Sequence, residues 1–178
     1  NKNKIFFVYG GSQGSMSLIN KLLLILHNID IKYLKEIKFV IQSPKKMHKS
    51  LSEFFNKNNL DYEIKDFYNN IDEILTHTDF VFTRAGAGTI NDIIRHEIPS
   101  IILPLSHSIN NHQYYNAKYL LDKEASILIE EENFDSNLNS EIFIRLITNE
   151  KKQQKMKKAL SEINLPAANE VMLTKILL

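Results

Sequence analysis

Ile5-Phe6-Phe7-Val8-Tyr9-Gly10-Gly11-Ser12-Gln13-Gly14 is the stretch that decides the fold. Its apolar, β-forming start reads as a strand, and the glycines that follow cannot continue one. From Ser17 to Asn28 apolar residues recur at three- and four-residue spacing, the pattern of a helix with one face against a sheet. A strand, a glycine loop and an amphipathic helix, in that order, begin a doubly wound α/β domain.

The same alternation continues outward along the chain. Ile37 to Gln42, Asp61 to Ile64, Phe80 to Thr83, Ser100 to Leu103 and Ser126 to Ile129 read as further strands. Lys46 to Asn58, Ile71 to Thr76, Thr89 to His96 and Asn111 to Asp122 read as the helices between them. Short connectors between strand and helix predict a parallel, doubly wound, Rossmann-like sheet in one domain over residues 1–178. From Asp135 onward only helices are expected, broken at Pro166, and the lysine-rich stretch Lys151 to Lys158 reads as a solvated helix face.

Composition narrows the function classes. The 178 residues are 43% hydrophobic and 24% charged, the balance of a folded globular chain, with a net charge of only +1. No global field marks a nucleic-acid or membrane-surface binder, and no nucleic-acid partner is expected. The absence of cysteine excludes disulfides and thiolate chemistry and agrees with a cytoplasmic setting. No apolar run approaches the roughly 20 residues that a membrane-spanning helix needs. The chain begins with Asn1 rather than Met and enters a strand at once, so a piece of something longer is expected.

All five glycines lie in two loops, Gly10, Gly11 and Gly14, then Gly86 and Gly88, and each loop joins a strand to a helix. Glycine lets a ligand approach the backbone, and the helix start beyond it offers unpaired N–H groups and partial positive charge. Two such loops suit a diphosphate, whereas the bland reading makes them two tight turns. The first loop is neither G-x-G-x-x-G nor a Walker loop, and the second strand ends in Gln42-Ser43 rather than in an acid for an adenosine ribose. NAD and ATP are disfavoured.

Gly10-Gly11-Ser12-Gln13-Gly14, then Arg84-Ala85-Gly86-Ala87-Gly88-Thr89, then His112-Gln113 with Asn116-Ala117, resemble the MurG family in order and spacing, over nearly the whole chain. The resemblance implies the carboxyl-terminal, donor-binding domain of a two-domain GT-B enzyme. That family moves N-acetylglucosamine from UDP-N-acetylglucosamine to the undecaprenyl-diphosphate-muramyl-peptide intermediate of peptidoglycan synthesis. It implies Ser12, Gln13 and Gly14 on the diphosphate, with Gly88 and Thr89 on its other side. Asp92 falls where the family has a glutamate for the uridine ribose hydroxyls, and is shorter by one methylene. Its bland reading is an acid in the first turn of a helix, favoured by the dipole.

By the same resemblance His112 and Gln113 contact the sugar hydroxyls, in a loop made polar by Ser108, Asn110 and Asn111, although a capped helix start with His112 exposed would look the same. Phe67-Tyr68 match the segment that edges the uracil through backbone groups, with the Tyr68 side chain expected on the surface. Arg84 either orders the second glycine loop or faces the cleft, and the ordering role is favoured.

No Asp-x-Asp pair occurs, so no metal and no cofactor is expected, and helix starts would hold the departing diphosphate. Inversion is implied by the family. The catalytic base and the undecaprenyl-linked acceptor are expected in an amino-terminal domain outside this chain, which would bind donor without turning over acceptor. For the full-length protein the resemblance implies a cytoplasmic enzyme held peripherally at the inner membrane surface. Two further readings are a donor-binding subunit completed by a partner in trans, as in related eukaryotic transferases, and a nucleotide-binding module without transfer activity.

Overall fold

A computed structural model describes residues 3–10, 15–106 and 108–165. Among them are six strands: β1 (Lys4–Tyr9), β2 (Ile37–Gln42), β3 (Asp61–Lys65), β4 (Phe80–Thr83), β5 (Ser100–Ile102) and β6 (Ile127–Leu128). The helices are α1 (Ser15–His27), α2 (Lys45–Lys57), α3 (Ile71–Thr76), α4 (Ala87–His96), α5 (His112–Asp122), α6 (Ser136–Thr148) and α7 (Glu150–Ser161). All neighbouring strands pair parallel, in the order β3-β2-β1-β4-β5-β6. The expected doubly wound α/β sheet is therefore present, and the predicted elements differ from it by a residue or two at their ends. The main difference is at the last strand, where only Ile127 and Leu128 pair with β5.

Alternation along β1 builds the two layers. Phe6 and Val8 point to a core formed with α1, α2 and α6, where Phe6 stacks on Phe143 at 4.6 Å between ring centroids. Phe7 and Tyr9 point to the opposite core, shared with Ile90, Ile93 and Ile94 of α4 and Ala117 and Leu120 of α5. Both faces of the central strand are thus dry, as a parallel sheet wound with helices requires.

Helices α6 and α7 follow the sheet. Asp135 caps α6 by accepting the Leu138 N–H at 2.8 Å, and Asn149 caps α7 by accepting that of Lys152 at 3.0 Å. Helix α6 packs on α1, whereas α7 buries Met156 in one core and Leu160 in the other. Most of its lysines remain exposed, as a solvated face would be. Pro166 lies outside the described residues.

Candidate functional site

The sheet order reverses between β1 and β4, whose neighbouring carboxyl ends open the crevice in which ligands of such sheets bind. Thr83 ties these ends together by donating its hydroxyl to the Tyr9 carbonyl at 2.6 Å. Beside this link lies a cavity of about 670 Å³. Its lining comes from the strand ends (Tyr9 and Gly10 after β1, Gln42 to Pro44 after β2, Asp66 and Phe67 after β3) and from Gly88, Thr89 and Asp92 of α4.

The two glycine loops differ in why they need glycine. A Cβ on Gly10 would stand 3.2 Å from Arg84 Cγ and 3.3 Å from Leu18 Cδ2, so the protein's own packing leaves little room for one. A Cβ on Gly88 would meet nothing within 4 Å. That space belongs to the cavity, at the first turn of a helix whose cap residue, Gly86, has no side chain to satisfy the leading N–H groups. A ligand anion would find those donors and the positive end of the helix together.

Asp92 lines the same cavity with its side chain 26% exposed, and Arg95 Nη2 lies 3.0 Å from its Oδ1. Arg95 also reaches Asp72 at 3.0 Å. Because α4 starts at Ala87, two residues before the predicted start, Asp92 stands in the second turn. The helix-dipole reading of Asp92 is corrected accordingly, since that effect fades beyond the first turn.

Tyr68 is not on the surface. It is buried against the edge of the Phe7 ring, with its hydroxyl 3.4 Å from the Glu63 carbonyl. Burial, and then the negative charge of Glu63, pushes its phenol pKa up. The exposed aromatic of this loop is Phe67, which lines the cavity at 63% exposure. The hydrophobic spacing from β3 to α3 could not distinguish the two rings.

Arg84 orders its loop. Buried at 2% exposure, it donates to the Leu103 carbonyl at 2.9 Å and pairs with Glu131 at 2.7 Å. Glu131 also accepts from the Ser17 and Ser106 hydroxyls. Burial alone would raise its carboxyl pKa, but the bonds from Ser17 and Arg84 and the guanidinium charge outweigh this and hold it below the usual range. Sequence reading missed Glu131. A buried arginine demands a carboxylate, but nothing local singles out the middle of Glu130-Glu131-Glu132 as its partner.

Gln113 is turned inward. Its Oε1 accepts from the backbone N–H of Leu105 at 3.0 Å and of Ala85 at 3.3 Å, while Asn116 donates to the Ala85 carbonyl at 3.0 Å. One helix thus pins the loops after β4 and β5. The Gln113 side-chain oxygen is thus engaged within the chain, and among the described residues neither Gln113 nor the half-buried His112 lines the 670 Å³ cavity. The asparagines before α5 have a backbone reason to be there: Asn110 and Asn111 both adopt left-handed conformations, with φ of 50° and 53°. A smaller cavity of about 230 Å³ lies beside them, lined by Ser106, Asn111, Tyr114 and Glu130 to Glu132.

Of the nine residues expected at the site, Gly88, Thr89 and Asp92 come together on one cavity, and Tyr68 and Gln113 serve the framework. Ser12, Gln13 and Gly14 lie outside the described residues, as do Gly11 and His107. Among the described residues no helix is long and apolar enough to cross a membrane.

The glycosyltransferase family 28 C-terminal domain matches residues 5–171. The UDP-N-acetylglucosamine--N-acetylmuramyl-(pentapeptide) pyrophosphoryl-undecaprenol N-acetylglucosamine transferase of Rickettsia massiliae (strain Mtu5) is 34% identical over 155 residues, 84% of this chain and 40% of that protein. The protein of the same name from Rickettsia canadensis (strain McKiel) is 33% identical over 153 residues, 84% of this chain and 43% of its own length. The chain therefore spans about two fifths of these relatives. A crystal structure of Acinetobacter baumannii MurG superposes over 99% of this chain and 53% of its own, with a TM-score of 0.76 at 20% identity, a likeness of fold.

Proposed function

From the premise that the chain belongs to the glycosyltransferase family 28 C-terminal domain, we propose that it is the donor-binding part of an inverting N-acetylglucosamine transferase. In this reading it holds UDP-N-acetylglucosamine, and the full-length protein passes the sugar to an undecaprenyl-diphosphate-linked muramyl peptide at the cytoplasmic face of the membrane. The observation that carries the reading is the cavity at the carboxyl ends of the strands, which brings Gly88, Thr89 and Asp92 of α4 together with Phe67 from the loop after β3.

In this assignment the leading N–H groups of α4, at Gly88 and Thr89, take the diphosphate, joined by the loop Ser12-Gln13-Gly14. Charge develops on that diphosphate as the sugar–oxygen bond breaks. Fixed donors at a helix start stabilise it there without rearrangement. Asp92 accepts from the ribose hydroxyls, the backbone at Phe67-Tyr68 reads the base, and His112 with the Gln113 carboxamide nitrogen meets the sugar. The base that deprotonates the acceptor hydroxyl is assigned to the acceptor half of the full-length protein.

Calorimetric titration of the chain with UDP-N-acetylglucosamine, UDP-glucose and NAD, before and after adding Mg²⁺, tests this. Saturable binding that prefers UDP-N-acetylglucosamine and ignores the metal is expected. Preference for NAD, or no binding of any uridine nucleotide, overturns the reading.

A further inference from the structure

Tyr9 ends β1 with its side chain 5% exposed, yet it lines the cavity together with Thr89 and Asp92. Its ring lies parallel to that of Phe7, 4.6 Å between centroids and 7° between planes, which fixes where the hydroxyl points. Among the described residues that hydroxyl makes no hydrogen bond of good length and angle, although the Asp92 carboxylate and the Thr89 hydroxyl already lie close to it. A buried donor without a well-formed bond works against folding, so a bond completed only with a ligand is a physical reason for it to be there. Burial first, and then the negative charge of Asp92, pushes the Tyr9 phenol pKa up, which keeps it a proton donor.

Asp92 is free to change partners. Its Oδ1 is held by Arg95, a guanidinium 58% exposed that also has Asp72 and so stays paired if Asp92 leaves. We propose that Tyr9 is a positioning residue for the nucleotide site: its buried hydroxyl donates to the Asp92 carboxylate when the ribose of a nucleoside diphosphate draws that carboxylate inward from Arg95. A short aspartate with one oxygen anchored from below presents the other to the ribose at fixed height. The inference rests on the donor-site reading above and deepens it.

The test is Tyr9→Phe, which keeps the ring and its stacking. Thermal unfolding of the unliganded chain is followed alongside calorimetric titration with UDP and with 2′,3′-dideoxyuridine diphosphate. Without ligand, Tyr9→Phe is expected to melt at the same temperature or higher, because a buried hydroxyl without a well-formed hydrogen bond is gone. UDP affinity is expected to fall about tenfold, the loss of one hydrogen bond to a charged group, while the dideoxy analogue binds both proteins equally. In an Asp92→Asn background, Tyr9→Phe is expected to cost less than twofold. Equal losses for both nucleotides, unchanged UDP affinity, or a fall in melting temperature would each overturn the role. A wild-type chain that binds no UDP overturns the donor-site reading and this inference with it; UDP binding that Tyr9→Phe leaves untouched removes this inference alone.

Discussion

The two sides of the crevice use their polar groups in opposite ways. On the α4 side Thr89 and the bare helix start at Gly88 line the cavity, and Asp92 lines it with a single ion pair, to the exposed Arg95. On the α5 side Arg84, Glu131, Gln113 and Asn116 are bonded to one another's loops, and the backbone there is pinned from three directions. Arg84, Gln113 and Asn116 sit in motifs of the same resemblance as Gly88 and Thr89, and polarity alone does not separate the two sides. What separates them is how fully the chain itself supplies the partners. A side that satisfies itself holds shape, and a side left unsatisfied has something to give a ligand.

The sharpest way to break this comparison is Arg84→Ala. It leaves the Glu131 carboxylate half-buried and without its cation, and a loss of about 3–5 kcal/mol is expected in urea unfolding. A loss under about 1 kcal/mol would mean that the α5 side is not framework. Gln113→Ala strands the N–H groups of Ala85 and Leu105, for an expected cost of about 2 kcal/mol in the same assay.

Asp92→Asn should do the reverse. Stability stays within about 0.5 kcal/mol, as for a surface substitution, while UDP affinity drops roughly tenfold by calorimetry. Should the variant unfold readily and still bind UDP, the two sides would have to be exchanged. The smallest expected effect is in acid. Glu131 is held below its ordinary value when folded, so its contribution is complete above the unfolded value near 4.5 and is lost as pH falls through the lower folded value. Stability measured against pH should therefore be flatter in that acid window for Glu131→Gln than for the wild-type chain.

The fold was largely legible in the sequence because its signals are local. Ile5 to Tyr9 followed by Gly10 reads as a strand end whatever surrounds it. The limits of α4 were harder, since Ala87 and Gly88 have little helical pattern, and the loop before them is held by Asn116 from another helix. At the candidate cavity the resemblance reached residues that do line it, as at Gly88 and Asp92. It was not legible where the outcome depends on a distant partner: Gln113 reaches Ala85, 28 positions earlier, and Arg84 reaches Glu131, 47 positions later. Tyr68 went astray for the same reason, as its burial depends on Phe7 on another strand.

The bond from Thr83 to the Tyr9 carbonyl spans 74 residues, and so does the pairing of Phe6 with Phe80. Strands β1 and β2 can meet early across one helix, but the crevice has no second wall until β4 returns to β1. Closing so long a loop is entropically expensive and tends to be slow. During synthesis, therefore, the cavity has to wait for β4 and for α4 as far as Asp92. A nucleotide held there, as proposed, should slow unfolding while leaving the rate of folding nearly unchanged when added to a refolding chain.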